Sequence, residues 1–216
     1  MKKGNWHPLM RASLMPIFVI FPLLSLGACS QFSPYVGTYS GKVQDEIYTS
    51  PNNTFQFKIP PLLKPGAQFS DRQLSESVFR VAMSDDLCRL FAINEIIVDQ
   101  PKISLDEYFD RFHESMLKDT KATLLDRKKI STKLGEGLYV RYSVPEGGPC
   151  VEISLVDGKR KEELPTAESA MIIVSSGKYV YTFEYMVGGD IDWPTMKTRP
   201  VDSMLMDFFS GFRTLK

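Results

Sequence analysis

Histidine and cysteine are scarce in this sequence, and their scarcity limits the chemistry that the chain can perform. The 216 residues include two histidines and three cysteines. A structural zinc site takes four cysteine or histidine ligands, and a histidine-based triad needs an imidazole beside its nucleophile. Only His113 is available for either role, because His7 lies in the N-terminal leader. We interpret His113 as a residue at the boundary of a helix, and we predict neither site.

A surplus of basic charge and the usual phosphate-binding or nucleophile motifs are also missing. Basic and acidic residues number 26 each, so nothing favours nucleic-acid binding. There is no P-loop, no G-x-G-x-x-G and no G-x-S-x-G. The pairs Asp85 and Asp86, and Asp190 and Asp192, offer too few oxygens for calcium. We predict no catalytic residue, metal or cofactor, and no enzyme; a hydrolase with a carboxylate-only site is the enzymatic alternative.

The N-terminus has the layout of a secretory signal. Lys2, Lys3 and Arg11 precede a stretch from Ala12 to Ala28 that carries no charge. This stretch contains two prolines and is short for a helix that must cross about 30 Å of hydrocarbon. We predict that residues 1–28 are a signal peptide.

The leader ends in Leu26-Gly27-Ala28-Cys29, which resembles the lipobox of bacterial lipoproteins. The resemblance implies that the Cys29 thiol receives a diacylglycerol group, that the leader is removed, and that the new N-terminus is acylated. Several acyl chains anchor a protein stably in a membrane. Ser30 replaces the aspartate that commonly retains enteric lipoproteins in the inner membrane, so we expect the periplasmic face of the outer membrane, with the inner membrane as the alternative. An ordinary signal peptide with a chance cysteine, or an uncleaved anchor, is the alternative.

Cleavage before Cys29 would leave about 190 residues, enough for one domain with a short tether. Residues 29–46 are polar and rich in serine and glycine, and we predict a lipidated terminus followed by a flexible tether. Alternation near "YVGTYSGK" favours an additional edge strand within it. Residues 47–216 then form a single domain.

Two cysteines, Cys88 and Cys150, remain if Cys29 carries the lipid. Compartments outside the cytoplasm are commonly oxidising, so we predict a disulfide bond between them. Closing a loop of about 60 residues stabilises a protein by roughly 4 kcal/mol in the chain-entropy estimate, less any strain. Two buried free thiols are the alternative.

The hydrophobic patterns predict strands, a helix, further antiparallel strands and a closing helix. Residues 47–59 read as a hairpin, residues 60–71 as a loop broken by proline and glycine, and residues 157–168 as a charged loop. Ser104 begins a capping box at the start of the first helix. Pro200 precedes the second, whose apolar face is Val201, Met204, Leu205, Phe208 and Phe212. This order indicates an α+β fold, an antiparallel β-sheet with helices packed on it.

Several segments together resemble the plan of the photosystem-II extrinsic subunit PsbP and its relatives. They are "YTSPNNTFQFKIP", "FRVAMSDD", the middle helix, "YVYTFEYMV", the loop with Trp193 and the final "FFSGF" helix. The resemblance covers most of residues 47–213 and implies an α/β/α sandwich around an antiparallel sheet. It contains no diagnostic motif, so no functional residue or metal role of that family is carried over.

The anchor, the tether and the lack of a catalytic constellation predict a non-catalytic interaction or accessory module with a protein partner in the cell envelope. The alternative is a periplasmic protein that binds a small ligand or glycan, either through the sheet face with Tyr181 and Tyr185 or through the loop with Trp193. The row Tyr179, Tyr181, Phe183 and Tyr185 on that face more often packs under a helix, since aromatic rings mainly supply buried area. A pocket between sheet and helix would favour a ligand, whereas a filled core with an exposed edge strand would favour a protein partner.

Overall fold

The computed structural model describes residues 35–98, 104–145, 149, 152–156, 159–163, 166–188 and 200–215. The predicted signal peptide, Cys29, Cys150 and Trp193 lie outside these residues. The helices are α1 (Leu105–Thr120) and α2 (Val201–Ser210). The strands are β1 (Lys42–Gln44), β2 (Ile47–Thr49), β3 (Phe55–Lys58), β4 (Gln68–Ser75), β5 (Val78–Ser84), β6 (Arg89–Ile97), β7 (Thr123–Thr132), β8 (Gly135–Val144), β9 (Glu152–Val156), β10 (Lys159–Glu163), β11 (Ala167–Ser176), β12 (Tyr179–Gly188) and β13 (Phe212–Thr214).

Antiparallel sheet dominates the described part of the chain. Seven strands form one sheet in the order β4-β5-β6-β12-β11-β8-β7, and every neighbouring pair is antiparallel. A four-stranded sheet has the order β1-β2-β3-β13, and β9 pairs with β10. The predicted class is confirmed in this coarse form, as antiparallel sheet with two helices.

An aromatic core joins one face of the large sheet to the small sheet and α2. Phe183 meets Phe209 and Phe212 edge-on, with ring centroids 4.8 and 4.7 Å apart. Phe55 and Phe57 reach the same core from the small sheet and are fully buried. Burying each such ring contributes on the order of 2–3 kcal/mol, so this layer is the main source of stability.

The opposite face of the large sheet packs against α1. Phe109 of α1 is buried against strands β8 and β11. Ser104 caps the helix as predicted, because its side chain accepts a hydrogen bond from the Glu107 amide at 3.1 Å. In a capping box the Glu107 carboxylate would also reach back to the Ser104 amide. In this structure it accepts a hydrogen bond from Arg111, one turn further on, at 2.6 Å.

The folded unit begins earlier than the predicted boundary at residue 47. Val36 forms a parallel bridge with Gln68, and β1 pairs with β2. Residues 36–44, assigned to the flexible tether from their polar composition, are therefore part of the fold. The edge position predicted near "YVGTYSGK" corresponds to this contact with β4.

Candidate functional site

A cleft between α2 and the start of the β3–β4 loop is more enclosed than the other concavities described. Its volume is about 220 Å³. Its walls are mainly apolar, with Lys58, Asp207 and Ser210 at the polar positions. The apolar lining comes from the loop, from β6 and from α2, namely Ile59, Pro60, Pro61, Leu62, Phe91, Met204 and Phe208.

The cleft takes its shape from close contact between the loop and the end of α2. The Lys58 amide donates to the Gly211 carbonyl at 3.1 Å, and the Ile59 amide donates to the Glu46 carbonyl at 2.8 Å. A Cβ atom at Gly211 would lie 3.1 Å from the Lys58 Cβ, so glycine permits this approach. Pro60 then turns the chain, because its carbonyl accepts from the Leu63 amide at 3.0 Å.

A buried ion pair supports the loop from behind. Arg89 Nε donates to Asp85 Oδ2 at 2.9 Å, and Arg89 Nη2 donates to the Leu62 carbonyl at 3.2 Å. The other Asp85 oxygen accepts from the Leu87 amide at 3.1 Å. Removing either Arg89 or Asp85 would leave the other charge buried and uncompensated. The pair therefore stays together and holds the loop through the Leu62 carbonyl. Burial raises the pKa of the neighbouring Tyr185 to about 12.

Two of the residues predicted to bind a ligand, Tyr181 and Tyr185, belong to the aromatic core. Tyr181 is 1% exposed and donates to Glu95 Oε2 at 3.1 Å. Tyr185 is 4% exposed, and its ring centroid lies 4.7 Å from that of Phe91. Their faces are occupied by protein, as the packing interpretation of this row expected. The third predicted residue, Trp193, lies outside the described residues.

Cys88 is disulfide-bonded, and its partner lies outside the described residues. The sheet register fits the predicted partner, Cys150. Arg89 lies opposite Val187, Val187 opposite Glu168, and Glu168 opposite Ser143. The end of β8 is thus three strand spacings, about 14 Å, from the start of β6. The five residues between Val144 and Cys150 are enough to span that distance, and the pairing with Cys150 remains a prediction.

His113 packs as a boundary residue of α1. Its Nδ1 lies 3.0 Å from the Tyr142 hydroxyl, and its ring stacks between Phe109 and Tyr142. Within the described parts of the chain, no group of three or more histidine, cysteine, aspartate or glutamate side chains is placed to hold a metal ion.

A band of polar side chains crosses the α1 face of the large sheet and was not predicted from the sequence. Arg80 lies opposite Asn94, and Asn94 lies opposite Thr182. Arg80 Nη1 donates to Asn94 Oδ1 at 3.2 Å, and Asn94 Nδ2 donates to Thr182 Oγ1 at 2.8 Å. Glu184 lies 3.6 Å from Arg80 Nη2. Because these groups satisfy one another, the band specifies strand register and leaves little capacity for a ligand.

Arg72 extends this band to β4 and differs from its other members. It lies directly opposite Arg80, which places like charges side by side. Arg72 is exposed, and the structure shows it no acidic partner among the described residues. The outer end of the band therefore has unbalanced positive charge.

Asp71 on β4 has a buried carboxylate that accepts four hydrogen bonds from the N-terminal segment and β2. Asp71 accepts from the Ser40 amide at 2.7 Å, the Ser40 hydroxyl at 2.8 Å, the Gly41 amide at 2.7 Å and the Tyr48 hydroxyl at 2.5 Å. It is 8% exposed. Burial, followed by the hydrogen bond to Asp71, raises the pKa of Tyr48 well above its usual value. Asp71 thus fastens the N-terminal segment to the large sheet.

One solved structure among the known proteins agrees with the fold. No protein-family model and no curated protein matches the sequence. Among solved structures, the cyanobacterial PsbP protein CyanoP from Synechocystis sp. PCC 6803 matches with a TM-score of 0.51 and 15% identity, over 78% of this chain and 91% of that chain. A protein from Bacteroides thetaiotaomicron VPI-5482 matches with a TM-score of 0.36 and 13% identity, over 81% of this chain and 50% of that chain.

The class of the domain is therefore a sheet-dominated α+β fold with two described helices. Within that class its architecture is PsbP-like, as the likeness to CyanoP shows. At 15% identity this likeness concerns the fold alone. Neither described helix is long and apolar enough to cross a bilayer.

Proposed function

We propose that this chain is a lipid-anchored protein of the cell envelope whose domain is a non-catalytic interaction or accessory module. The anchor is the lipidated Cys29, and the location is the periplasmic face of the outer membrane. The domain is a PsbP-like α/β/α sandwich, with α1 and α2 on opposite faces of the sheet. The lipobox-like sequence supports the anchor, and the edge of the sheet supports the interaction role.

The observation that carries this proposal is an open half-edge beside a filled core. The first half of β4 is covered, because the Phe69 amide donates to Val36 and the Asp71 amide donates to Thr38. No strand in the described part of the chain lies beside the second half, residues 72–75. Leu74 stands in a bulge there and is 48% exposed. Unpaired strand edges with exposed apolar groups are sites where a partner chain can bind.

The chain provides a matched control for testing this edge. Leu125 also stands in a bulge of an edge strand, β7, and is 52% exposed. A photo-crosslinking amino acid at Leu74, irradiated in the native cells, should give one discrete adduct with an envelope protein. The same amino acid at Leu125 should not give that adduct. Equal adducts at both positions, or none at Leu74, would reject the interaction role of this edge.

The anchor has a separate test. Cys29→Ala should yield a product that incorporates no labelled fatty acid and is either soluble or uncleaved. A variant that still incorporates the label would show that Cys29 is not the lipidated residue.

The cleft beside α2 favours a small-ligand carrier as the second candidate. Its apolar lining and the ammonium group of Lys58 suit a short apolar molecule with an anionic end. At about 220 Å³ it is smaller than the 300–1,000 Å³ of ordinary ligand pockets, which favours the interaction module. Saturable binding of a fluorescent fatty acid that Leu62→Glu abolishes would instead favour the carrier.

A further inference from the structure

The N-terminal segment joins the domain along a defined direction. Val36 donates its amide to the Ala67 carbonyl at 3.0 Å, and its carbonyl accepts from the Phe69 amide at 2.7 Å. The Asp71 amide donates to the Thr38 carbonyl at 3.2 Å. These bonds make residues 36–38 run parallel to β4. The chain therefore reaches the domain at the end of the sheet where β4 begins.

Side-chain contacts hold residues 36–41 against the domain, so these residues add no length to the tether. Asp71 binds Ser40 and Gly41, and the Tyr39 ring meets Phe69 edge-on with centroids 4.9 Å apart. A Cβ atom at Gly37 would lie 2.0 Å from the Phe69 carbonyl oxygen, so the two backbones are in close contact. Residue 36 is therefore held on the domain, seven positions after Cys29. Seven residues span no more than about 25 Å even when fully extended.

The sheet register defines which residues share that end. Gln68 lies opposite Ser84, where β5 ends, and Arg89 lies opposite Val187 near the end of β12. We call this the anchor end, and it also contains the β3–β4 loop. The opposite or far end contains the β4–β5, β7–β8 and β11–β12 turns. A ten-residue strand is about 33 Å long, so the two ends are separated by more than the tether can reach.

We infer that the anchor end of the domain faces the phospholipid bilayer and that the far end points away from it. This orientation rests on the proposed lipid anchor at Cys29. The short tether limits the distance, and the direction of residues 36–38 sets the approach. Val36, 54% exposed, and the exposed Lys64 of the β3–β4 loop then lie at the membrane surface. The free half of β4 lies toward the far end, where it can meet a partner.

Lysine footprinting tests this orientation with a matched pair. Lys64 lies at the anchor end and Lys178 in the β11–β12 turn at the far end, and both are exposed. The mature protein is bound to vesicles of phosphatidylethanolamine and phosphatidylglycerol and treated with a membrane-impermeant acylating reagent. The comparison variant carries an insert of about twenty Gly/Ser residues after Ser30, which adds about 25 Å of average reach.

The rate at which the reagent acylates Lys64 should be several-fold lower in the native protein than in the variant with the long tether. The rate at Lys178 should be equal in both. Equal Lys64 rates in the two vesicle-bound forms would overturn the orientation and leave the anchor in place. An intact mass without lipid, together with no binding to vesicles, would overturn the anchor and the orientation together.

Discussion

The two edge strands of the seven-stranded sheet are protected against unwanted pairing with other strands in different ways. Each edge strand has a bulge with an exposed leucine, Leu74 on β4 and Leu125 on β7. The β7 edge carries charges that are balanced, whereas β4 is covered over half its length by the chain's own N-terminal segment. Charged residues, bulges and covering segments all discourage unwanted pairing of a strand edge. Within the described parts of the chain, only the second half of β4 lacks both a cover and balanced charge.

The ion pairs of the β7 edge show how complete its balance is. Arg127 lies 2.5 Å from Asp106 and 3.2 Å from Asp110. Lys129 lies 3.3 Å from Asp106. Lys128 is 3.1 Å from Asp126. These exposed pairs contribute little stability individually, but they leave no unpaired basic residue on this strand. On β4, Arg72 faces another arginine.

The largest expected effect comes from breaking the cover of β4. Asp71→Ala removes the acceptor of four hydrogen bonds, two of them from side-chain hydroxyls and two from backbone amides. Leaving buried donors unpaired should reduce the free energy of unfolding by about 3 kcal/mol. Urea denaturation would measure it, with Asp110→Ala on the exposed side of α1 as the control. A loss no larger than that of the control would show that Asp71 does not hold the segment.

Breaking the disulfide bond at Cys88 should reduce the free energy of unfolding by a comparable or smaller amount. Cys88→Ser removes the cross-link at the start of β6. We expect a loss of about 2–4 kcal/mol, since the unfolded chain regains the freedom of a long loop. Non-reducing mass analysis of the mature domain should also find Cys88 and Cys150 joined. A free thiol at either residue would reject the predicted pairing.

A charge reversal on the open half of β4 should have a smaller, opposite effect. Arg72→Glu places a carboxylate opposite Arg80, and a favourable cross-strand pair contributes about 0.5 kcal/mol. The variant should therefore unfold at a slightly higher urea concentration. Lys128→Glu on β7 is the control and should be destabilising or neutral, because it places a second acid beside Asp126. If Arg72→Glu lowers the free energy of unfolding, the positive charges of Arg72 and Arg80 are already balanced in the native protein.

The smallest effect should be a lowered pKa of Asp106, the α1 residue that pairs with basic residues of the β7 edge. Hydrogen bonds from Arg127 and Lys129 lower the pKa of Asp106. A lowered pKa in the folded state adds stability above the unfolded pKa, near 4, and this stability is lost as pH falls through the folded pKa. NMR should show a carboxyl midpoint below that of an unfolded aspartate, moving upward in high salt. A midpoint at the ordinary value in low salt would contradict the pairing.

Strongly periodic segments could be predicted from the sequence. The cap at Ser104 and the apolar face of α2 are confirmed because both depend on local spacing. Phe212 was assigned to that helical face but lies in β13 opposite Phe57, since the helix ends at Ser210 and Gly211 turns the chain. A helical period cannot distinguish the last residue of a helix from the next apolar residue after it.

Segments whose burial depends on distant partners could not be predicted. The first half of Gln68–Ser75 was assigned to a loop because residues 60–71 are rich in proline and glycine, and in the structure only Phe69 and Asp71 of this strand are buried. The partners of Asp71 lie 23 to 31 residues away, so no local pattern marks it as a buried carboxylate. The cleft beside α2 was missed for the same reason, although an apolar "PPLL" in a loop is a signal of packing.

The hairpin of β9 and β10 had a sequence signal that was overlooked. Lys159–Glu163 was assigned to a charged loop, yet it pairs with Glu152–Val156. The two residues between the strands in sequence are Asp157 and Gly158, a dipeptide favoured in tight hairpin turns. High charge obscured this signal, because charged residues are also typical of exposed loops.

The covered edge of β4 and the short tether both require residues 36–41 to be part of the folded domain. Native-state hydrogen exchange of the backbone amides measures this directly. The amides of Val36, Ser40 and Gly41 should exchange as slowly as the amides that pair β5 with β6, because they bond to β4 and its side chains or to the adjoining loop. They should also lose protection together in Asp71→Ala. Exchange of Val36, Ser40 and Gly41 at the rate of an unstructured peptide, with β4 still protected, would contradict the covered edge and the short tether.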